Sequence, residues 1–179
     1  MIESLITSKT RIKLLLKFFL NSQTKSYLRG LEAEFCESTN SIRVELNRLE
    51  NAGLLDASIE GNKKMFFANI NHPLFYDINN IIKKFIGVDQ IIEQIATQIG
   101  DLQAAYLTGD FAIGKDSKII DLALIGNNLD RAYIETLVEK AESFISRRIK
   151  SIILTKEEMI QFYNNKPVLL IWKSDVAGK

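Results

Sequence analysis

Ser38-Thr39-Asn40-Ser41-Ile42-Arg43-Val44-Glu45-Leu46-Asn47-Arg48-Leu49-Glu50-Asn51-Ala52-Gly53-Leu54 is the stretch whose reading decides the fold of the first half of the chain. Ser38 or Thr39 supplies a side-chain oxygen for the first unpaired amides of a helix, and Gly53 stands where a left-handed terminating residue is wanted. The stretch therefore predicts one helix running to about Ala52. At about 100° per residue, Ile42, Leu46 and Leu49 share one face of it. Asn40, Arg43, Val44, Asn47 and Arg48 then face the other way, with Glu45 and Glu50 flanking them.

Upstream, Ile12, Leu15, Leu16 and Phe19 have the i, i+3, i+4, i+7 spacing of an amphipathic helix over Lys9 to Leu20, and Leu28, Leu31 and Phe35 predict a second over Tyr27 to Cys36. Downstream, Leu54 to Ser58 and Met65 to Ala68 are strand-like. They are joined by Glu60-Gly61-Asn62-Lys63-Lys64, whose Gly and Asn tolerate the backbone of a hairpin turn. Three helices followed by a hairpin is the order of a winged helix-turn-helix.

The outward face of the third helix has major-groove chemistry. Arginine can donate two bonds to guanine O6 and N7, asparagine can pair bidentately with adenine by donating to N7 and accepting from N6, and Val44 could touch a thymine methyl. Ser38, Thr39 and Ser41 stand at the helix start, where amides and dipole favour phosphate; Lys63 and Lys64, at the hairpin tip, would reach the flanking backbone or minor groove. Most charged helix faces simply meet solvent. The helical triplet, the Ala52-Gly53-Leu54 exit and the basic hairpin tip occur together here, and together they favour double-stranded DNA. Glu45 and Glu50 weaken the patch, so the expected binding form is a homodimer that offers two helices to two half-sites.

Composition bounds this reading. The chain has 179 residues, 46% hydrophobic and 25% charged, which describes a folded protein of one or two domains. Its net charge of +1 means that any nucleic-acid face must be a local patch. One cysteine, Cys36, and one histidine, His72, exclude an intrachain disulfide and a multi-cysteine zinc site, so no metal or other cofactor is expected. Cys36 is expected to fill core space and His72 to lie in a loop before Pro73. The apolar run Leu14 to Leu20 is interrupted by Lys17 and is too short to span a bilayer, so the expected location is the cytoplasm, without a membrane partner.

Pro73 opens a helical stretch through Phe75, Ile78, Ile81, Ile82 and Phe85, and Gly87 interrupts it. The domain boundary is placed there, giving 1–86 and 87–179. Val88, Ile91, Ile92, Ile95 and Ile99 form another one-sided stripe, suited to core packing or to pairing with its copy in a dimer. After Gly100, strands at Gln103 to Thr108, Lys118 to Ile125, Ile149 to Leu154 and Val168 to Trp172 alternate with helices at Leu129 to Ser146 and Glu157 to Asn164. That is a small α/β domain with a mixed sheet. Gly109-Asp110-Phe111-Ala112-Ile113-Gly114-Lys115-Asp116 nearly satisfies the phosphate-loop pattern. It lacks the metal-binding hydroxyl, and a β-rich stretch follows where a helix is required.

The strand ending at Gly109-Asp110, a short helical turn, Gly114, and then Lys118-Ile119-Ile120-Asp121-Leu122-Ala123-Leu124 resembles the minimal nucleotidyltransferase fold. That resemblance implies two magnesium ions held by paired aspartates and a third carboxylate on a later strand. Here Ile119 stands at the first aspartate position, Asp121 matches the second, Asp110 replaces the signature serine, and Lys150 lies near the third carboxylate. Gly109, Asp110, Asp121 and Lys150 thus mark a degenerate nucleotide pocket in which a lysine could pair with Asp121 in place of a cation. One carboxylate of three implies no catalytic residues and no enzymatic activity.

From about Thr24 to Trp172 the chain resembles prokaryotic ArsR-like winged-helix regulators with a C-terminal nucleotidyltransferase-like domain. The segments that carry this are Ser41 to Leu54, Gly61-Asn62 through Asn71-His72-Pro73-Leu74-Phe75, Gly109 to Gly126, and Thr155-Lys156-Glu157-Glu158. The resemblance implies a DNA-binding transcriptional regulator whose second domain serves sensing of a small-molecule or protein effector, dimerisation or partner contact. Two other classes stay open: an active nucleotidyltransferase targeted by a winged helix, and an antitoxin-like protein-interaction module that does not touch DNA.

Overall fold

Ser8 caps the first helix by accepting from the Arg11 amide, and α1 (Lys9–Leu15) then continues as a π turn, Leu16–Leu20. The computed structural model describes residues 6–87, 101–145 and 147–174. The single helix expected over Lys9 to Leu20 is thus two segments. The wider π turn places five successive residues in buried positions, Lys17 among them, and the Lys17 ammonium meets Glu34 at 2.8 Å.

β1 (Ser26–Tyr27) precedes α2 (Leu28–Phe35), which ends at Cys36 in a left-handed conformation. Tyr27 was expected to be helical; its extended backbone instead caps α2, and β1 pairs antiparallel with β3. Cys36 was expected in the core and is exposed, because as the terminating residue it turns the chain away from the buried face of α2. α3 (Thr39–Asn51) is capped by Ser38, and Gly53, at φ +72°, follows its end.

β2 (Leu55–Glu60) and β3 (Lys63–Ala68) form an antiparallel hairpin, and β1-β3-β2 is the strand order of the first sheet. The loop is only Gly61-Asn62, because Glu60 and Lys63 already pair in register. Lys63 and Lys64 accordingly stand on a strand beside the turn instead of in a longer loop. The first core gathers Leu14, Phe18 and Phe19 with Leu31, Ile42, Leu46 and Leu55, each nearly inaccessible.

α4 (Phe75–Ile86) follows the His72-Pro73 loop and stops at Gly87, whose φ of +92° no helix accommodates. The Val88 to Ile99 stripe lies outside the described residues. β4 (Asp101–Thr108), the one-turn α5 (Gly109–Ala112), β5 (Ile119–Asn127), α6 (Arg131–Glu142), β6 (Arg148–Leu154), α7 (Lys156–Tyr163) and β7 (Leu169–Lys173) complete the described elements. The sheet order is β6-β5-β4-β7; β5 runs parallel to β6, and the other pairs are antiparallel, so this sheet is mixed.

α6, expected from Leu129 to Ser146, is shorter because Asp130 caps it at one end and it gives way to a turn at Ser143. α7 carries a capping box, with Thr155 accepting from the Glu158 amide and Glu158 accepting from the Thr155 amide. It packs Met159 and Tyr163 against Ala104, Ala123, Ile125 and Leu154 on one sheet face. The chain divides into two compact units, Met1–Phe85 with Gly114–Asp116, and Ile86–Ile113 with Ser117–Lys179. Among the described residues no helix is long and apolar enough to cross a membrane.

Candidate nucleic-acid interface

α3 is held by its apolar stripe: Ile42, Leu46 and Leu49 are buried, and α1 and α2 pack against it. The opposite side is solvent-exposed at Asn40, Ser41, Arg43, Val44, Asn47 and Arg48, while Thr39 is half-buried and Ser38, also exposed, spends its hydroxyl oxygen on the Ser41 amide. Val44 keeps 39% of its surface accessible. Among the described residues the side chains of Asn40, Arg43 and Asn47 make no hydrogen bond or ion pair, so their donors and acceptors face solvent as a group one to two turns long.

Glu45 departs from the flanking position expected for it. It occupies the i+3 slot after Ile42, inside the buried stripe, and only 5% of it is accessible. Its two carboxylate oxygens are taken by different guanidiniums: Arg11 Nε at 2.8 Å from one, and Arg48 Nη1 at 3.0 Å from the other. The Ser8 hydroxyl bonds to it as well. Burial pushes the Glu45 carboxyl up, but the hydrogen bonds from Arg11 and Ser8 and the two positive charges outweigh it, so the group sits below its ordinary value.

Two further ion pairs join α1 and its π turn to α2 and the residue that follows its end. Lys13 meets Glu37 at 2.6 Å, with Thr10 also donating to Glu37, and Lys17 meets Glu34. Glu37 is likewise lowered: burial raises it, and the bonds from Lys13 and Thr10 more than compensate.

The hairpin lysines are engaged within the chain. Lys64 pairs with Glu50 at 2.7 Å and lies over the Phe66 ring, and the Lys63 ammonium is 4.2 Å from the centre of the Tyr27 ring. Lys25, paired with Glu60 at 3.0 Å, is a further exposed cation of this sheet. Arg11 and Lys25 were not among the residues singled out from the sequence. The signal for Arg11 was indirect, a carboxylate set in an apolar stripe and so requiring a cation from elsewhere.

In the second unit Gly109, at φ +61°, lies directly against Asp121: a Cβ added to Gly109 would come within 2.7 Å of Asp121 Oδ2. Asp121 pairs in register with Thr108 on one side and Lys150 on the other. No ion pair joins Asp121 to Lys150, which is exposed, so the expected lysine-for-cation pairing does not form. Asp110 is half-buried on α5. Among the described residues no three His, Cys, Asp or Glu side chains are grouped to hold a metal ion, and Ile119 shares the sheet face of Asp121 where a second carboxylate would be needed. The residues present do not fit a two-magnesium centre. After Lys115 the chain runs into β5, which is not phosphate-loop geometry. A depression of about 150 Å³ beside α6 and β6 is lined by Arg131, Ile134, Glu135, Ser151, Ile152 and Ile153, and includes none of Gly109, Asp110, Asp121 or Lys150.

No family profile matches the chain, and no curated protein matches it. Among solved structures, reduced HlyU from Vibrio cholerae is 12% identical, with 54% of this chain and 86% of that one covered at a TM-score of 0.35. A protein from Sulfolobus solfataricus, described provisionally as a nucleotidyltransferase, is 20% identical over 55% of this chain and 88% of its own, at a TM-score of 0.37. TrmBL2, an archaeal chromatin protein with a novel mode of DNA binding, is 11% identical over 90% of this chain and 72% of its own, at a TM-score of 0.28.

Proposed function

We propose that the protein is a cytoplasmic transcriptional regulator that binds double-stranded DNA as a homodimer. Residues 1–86 act as a winged helix-turn-helix, and 87–179 as a nucleotidyltransferase-like domain without transferase activity. α3 enters the major groove with Asn40, Arg43, Val44, Asn47 and Arg48 facing it, the arginines and asparagines toward base edges and Val44 toward a thymine methyl, and Ser38, Thr39 and Ser41 meet phosphates at its N-terminus. β2 and β3 lie along the flanking backbone with Lys63 and Lys64. The second domain serves effector sensing, dimerisation or partner contact.

The observation that carries this reading is the outward face of α3, where Asn40, Arg43, Val44 and Asn47 are exposed together and their polar groups are unspent on the protein. The DNA is read by these groups because the opposite stripe is fully committed to the core. The test is binding of the full chain to duplexes from a random pool at several salt concentrations. Enrichment of a sequence, with Arg43→Ala costing about 1–3 kcal/mol of discrimination at one base pair, supports the reading. No binding at low salt, or an Arg43→Ala variant that binds the enriched site unchanged, overturns it.

A further inference from the structure

Glu45 holds two arginines from different helices on one carboxylate, and neither guanidinium is used up by that contact. Arg11 gives Glu45 only its Nε–H and Arg48 only an Nη1–H among the described residues, which leaves most of the five N–H groups of each unspent. The Arg11 side chain is 35% accessible and that of Arg48 61%, against 7% for the carboxylate between them. The shared anion is thus sunk into the core side of α3 while its two cations rise around it. The charge of the trio is positive, and the guanidiniums are fixed at a common point instead of moving as independent side chains. Planar guanidiniums held in this way suit the tetrahedral oxygens of a phosphate.

From this geometry we infer a phosphodiester clamp: Arg11 and Arg48, oriented by Glu45, grip one backbone phosphate of the DNA beside the groove that α3 reads. The inference rests on the DNA-binding reading. It adds Arg11 to the interface and moves Arg48 from base reading to backbone binding, which leaves Asn40, Arg43 and Asn47 as the sequence readers. Glu45 acts as a positioning residue. By charge alone its carboxylate repels DNA; by geometry it keeps both arginines where one phosphate can meet them.

The experiment measures the salt dependence of duplex binding by the full chain, on a selected and on a random sequence. Arg11→Gln keeps an N–H at the Nε position for Glu45 and removes a charge, and Arg48→Gln removes a charge while Arg11 still holds the carboxylate. Each lowers the slope of log K against log salt by about one, equally on both sequences, whereas Arg43→Gln weakens the selected duplex more than the random one. Arg11→Lys retains the slope. Glu45→Gln weakens binding even though it adds positive charge, which a merely neutralising carboxylate would not do. A folded Arg11→Gln variant with unchanged slope overturns the clamp while leaving the DNA reading intact, and an Arg48→Gln variant that loses affinity only for the selected sequence does the same. Tighter binding by Glu45→Gln removes its positioning role. A wild-type chain that binds no duplex at low salt overturns both readings together.

Discussion

The outward face of α3 and the Gly109–Asp121 corner of the mixed sheet are built in opposite ways. At α3 the polar groups are numerous and unspent, and the scaffold beneath them is tied by charge: Arg11 to Glu45, Lys13 to Glu37, Lys17 to Glu34. At the corner a single carboxylate rests against a glycine, its register neighbour Lys150 does not reach it, and among the described residues no acidic cluster surrounds it. A binding face needs several convergent groups held by something rigid, and a metal centre needs several convergent carboxylates. Among the described residues only the first requirement is met, which is why the proposed function puts the DNA contact on α3.

The largest effect that sharpens this contrast comes from the scaffold under α3. Leu46 is 1% exposed, and Leu46→Ala leaves a cavity that costs about 2–5 kcal/mol, read as a fall in the urea midpoint. Exposed Val44→Ala, two residues earlier on the same helix, leaves the midpoint within about 0.5 kcal/mol and changes only DNA binding. Equal losses of stability from the two would mean that the outward face is packed against something and is not available to DNA.

Acid tests the charged scaffold. Glu37 and Glu45 have folded-state values below the ordinary 4.5, so near that pH the native state binds fewer protons than the unfolded one. Their stabilisation is fully present above about pH 4.5 and is lost as the pH falls through the depressed folded values. A hydrogen bond to a charged group contributes about 1.5–3 kcal/mol, which sets the scale of the loss. In Glu45→Gln the acid-side decline is shallower than in the wild type, measured by urea midpoints between pH 3 and 6 on the order of half a unit apart. An unchanged decline would remove Glu45 from the scaffold.

How much of this was legible in the chain follows from the range of the interactions. The faces of α3 followed from three apolar residues and a period of 3.6, because burial on one side and solvent on the other are local consequences of helix geometry. The same pattern already held the position of Glu45, three residues after Ile42 and four before Leu49, where a carboxylate has to be buried and paired. Its partner Arg11 is 34 residues away, and no local rule selects it. β1 escaped because two residues carry no alternation. The hairpin strands extend two residues further at the turn than their apolar residues suggest, since Glu60, Lys63 and Lys64 pair through backbone that is indifferent to side-chain polarity. Cys36 was misplaced because helix termination outweighs the burial preference of a small thiol.

The corner has its own test, of intermediate size. Gly109 and Gly61 share a φ of +61°, so replacing either by alanine carries the backbone penalty of about 1–2 kcal/mol for a left-handed residue. Gly61 has nothing within 4 Å of the new methyl, whereas at Gly109 the methyl meets Asp121 Oδ2 at 2.7 Å. Gly109→Ala therefore loses more stability than Gly61→Ala, and the additional Asp121→Ala change restores the excess. If it restores nothing, the close approach of Gly109 to Asp121 is not what makes glycine necessary there.

The smallest effect distinguishes the hairpin from the helix. Lys64 and Glu50 form an exposed pair, with side chains 45% and 29% accessible, and such pairs contribute about 0.2–1 kcal/mol. Glu50→Gln consequently changes the urea midpoint little. Its effect on DNA binding is the informative one, because Glu50 offsets the Lys64 charge that a phosphate would use. Removing that competitor raises duplex affinity and steepens the salt dependence, the opposite of the weakening expected from Glu45→Gln. Two carboxylates on one helix, five residues apart and each bound to a basic side chain, should then respond with opposite sign. The buried one orients its cations for DNA, and the exposed one withholds its cation from it.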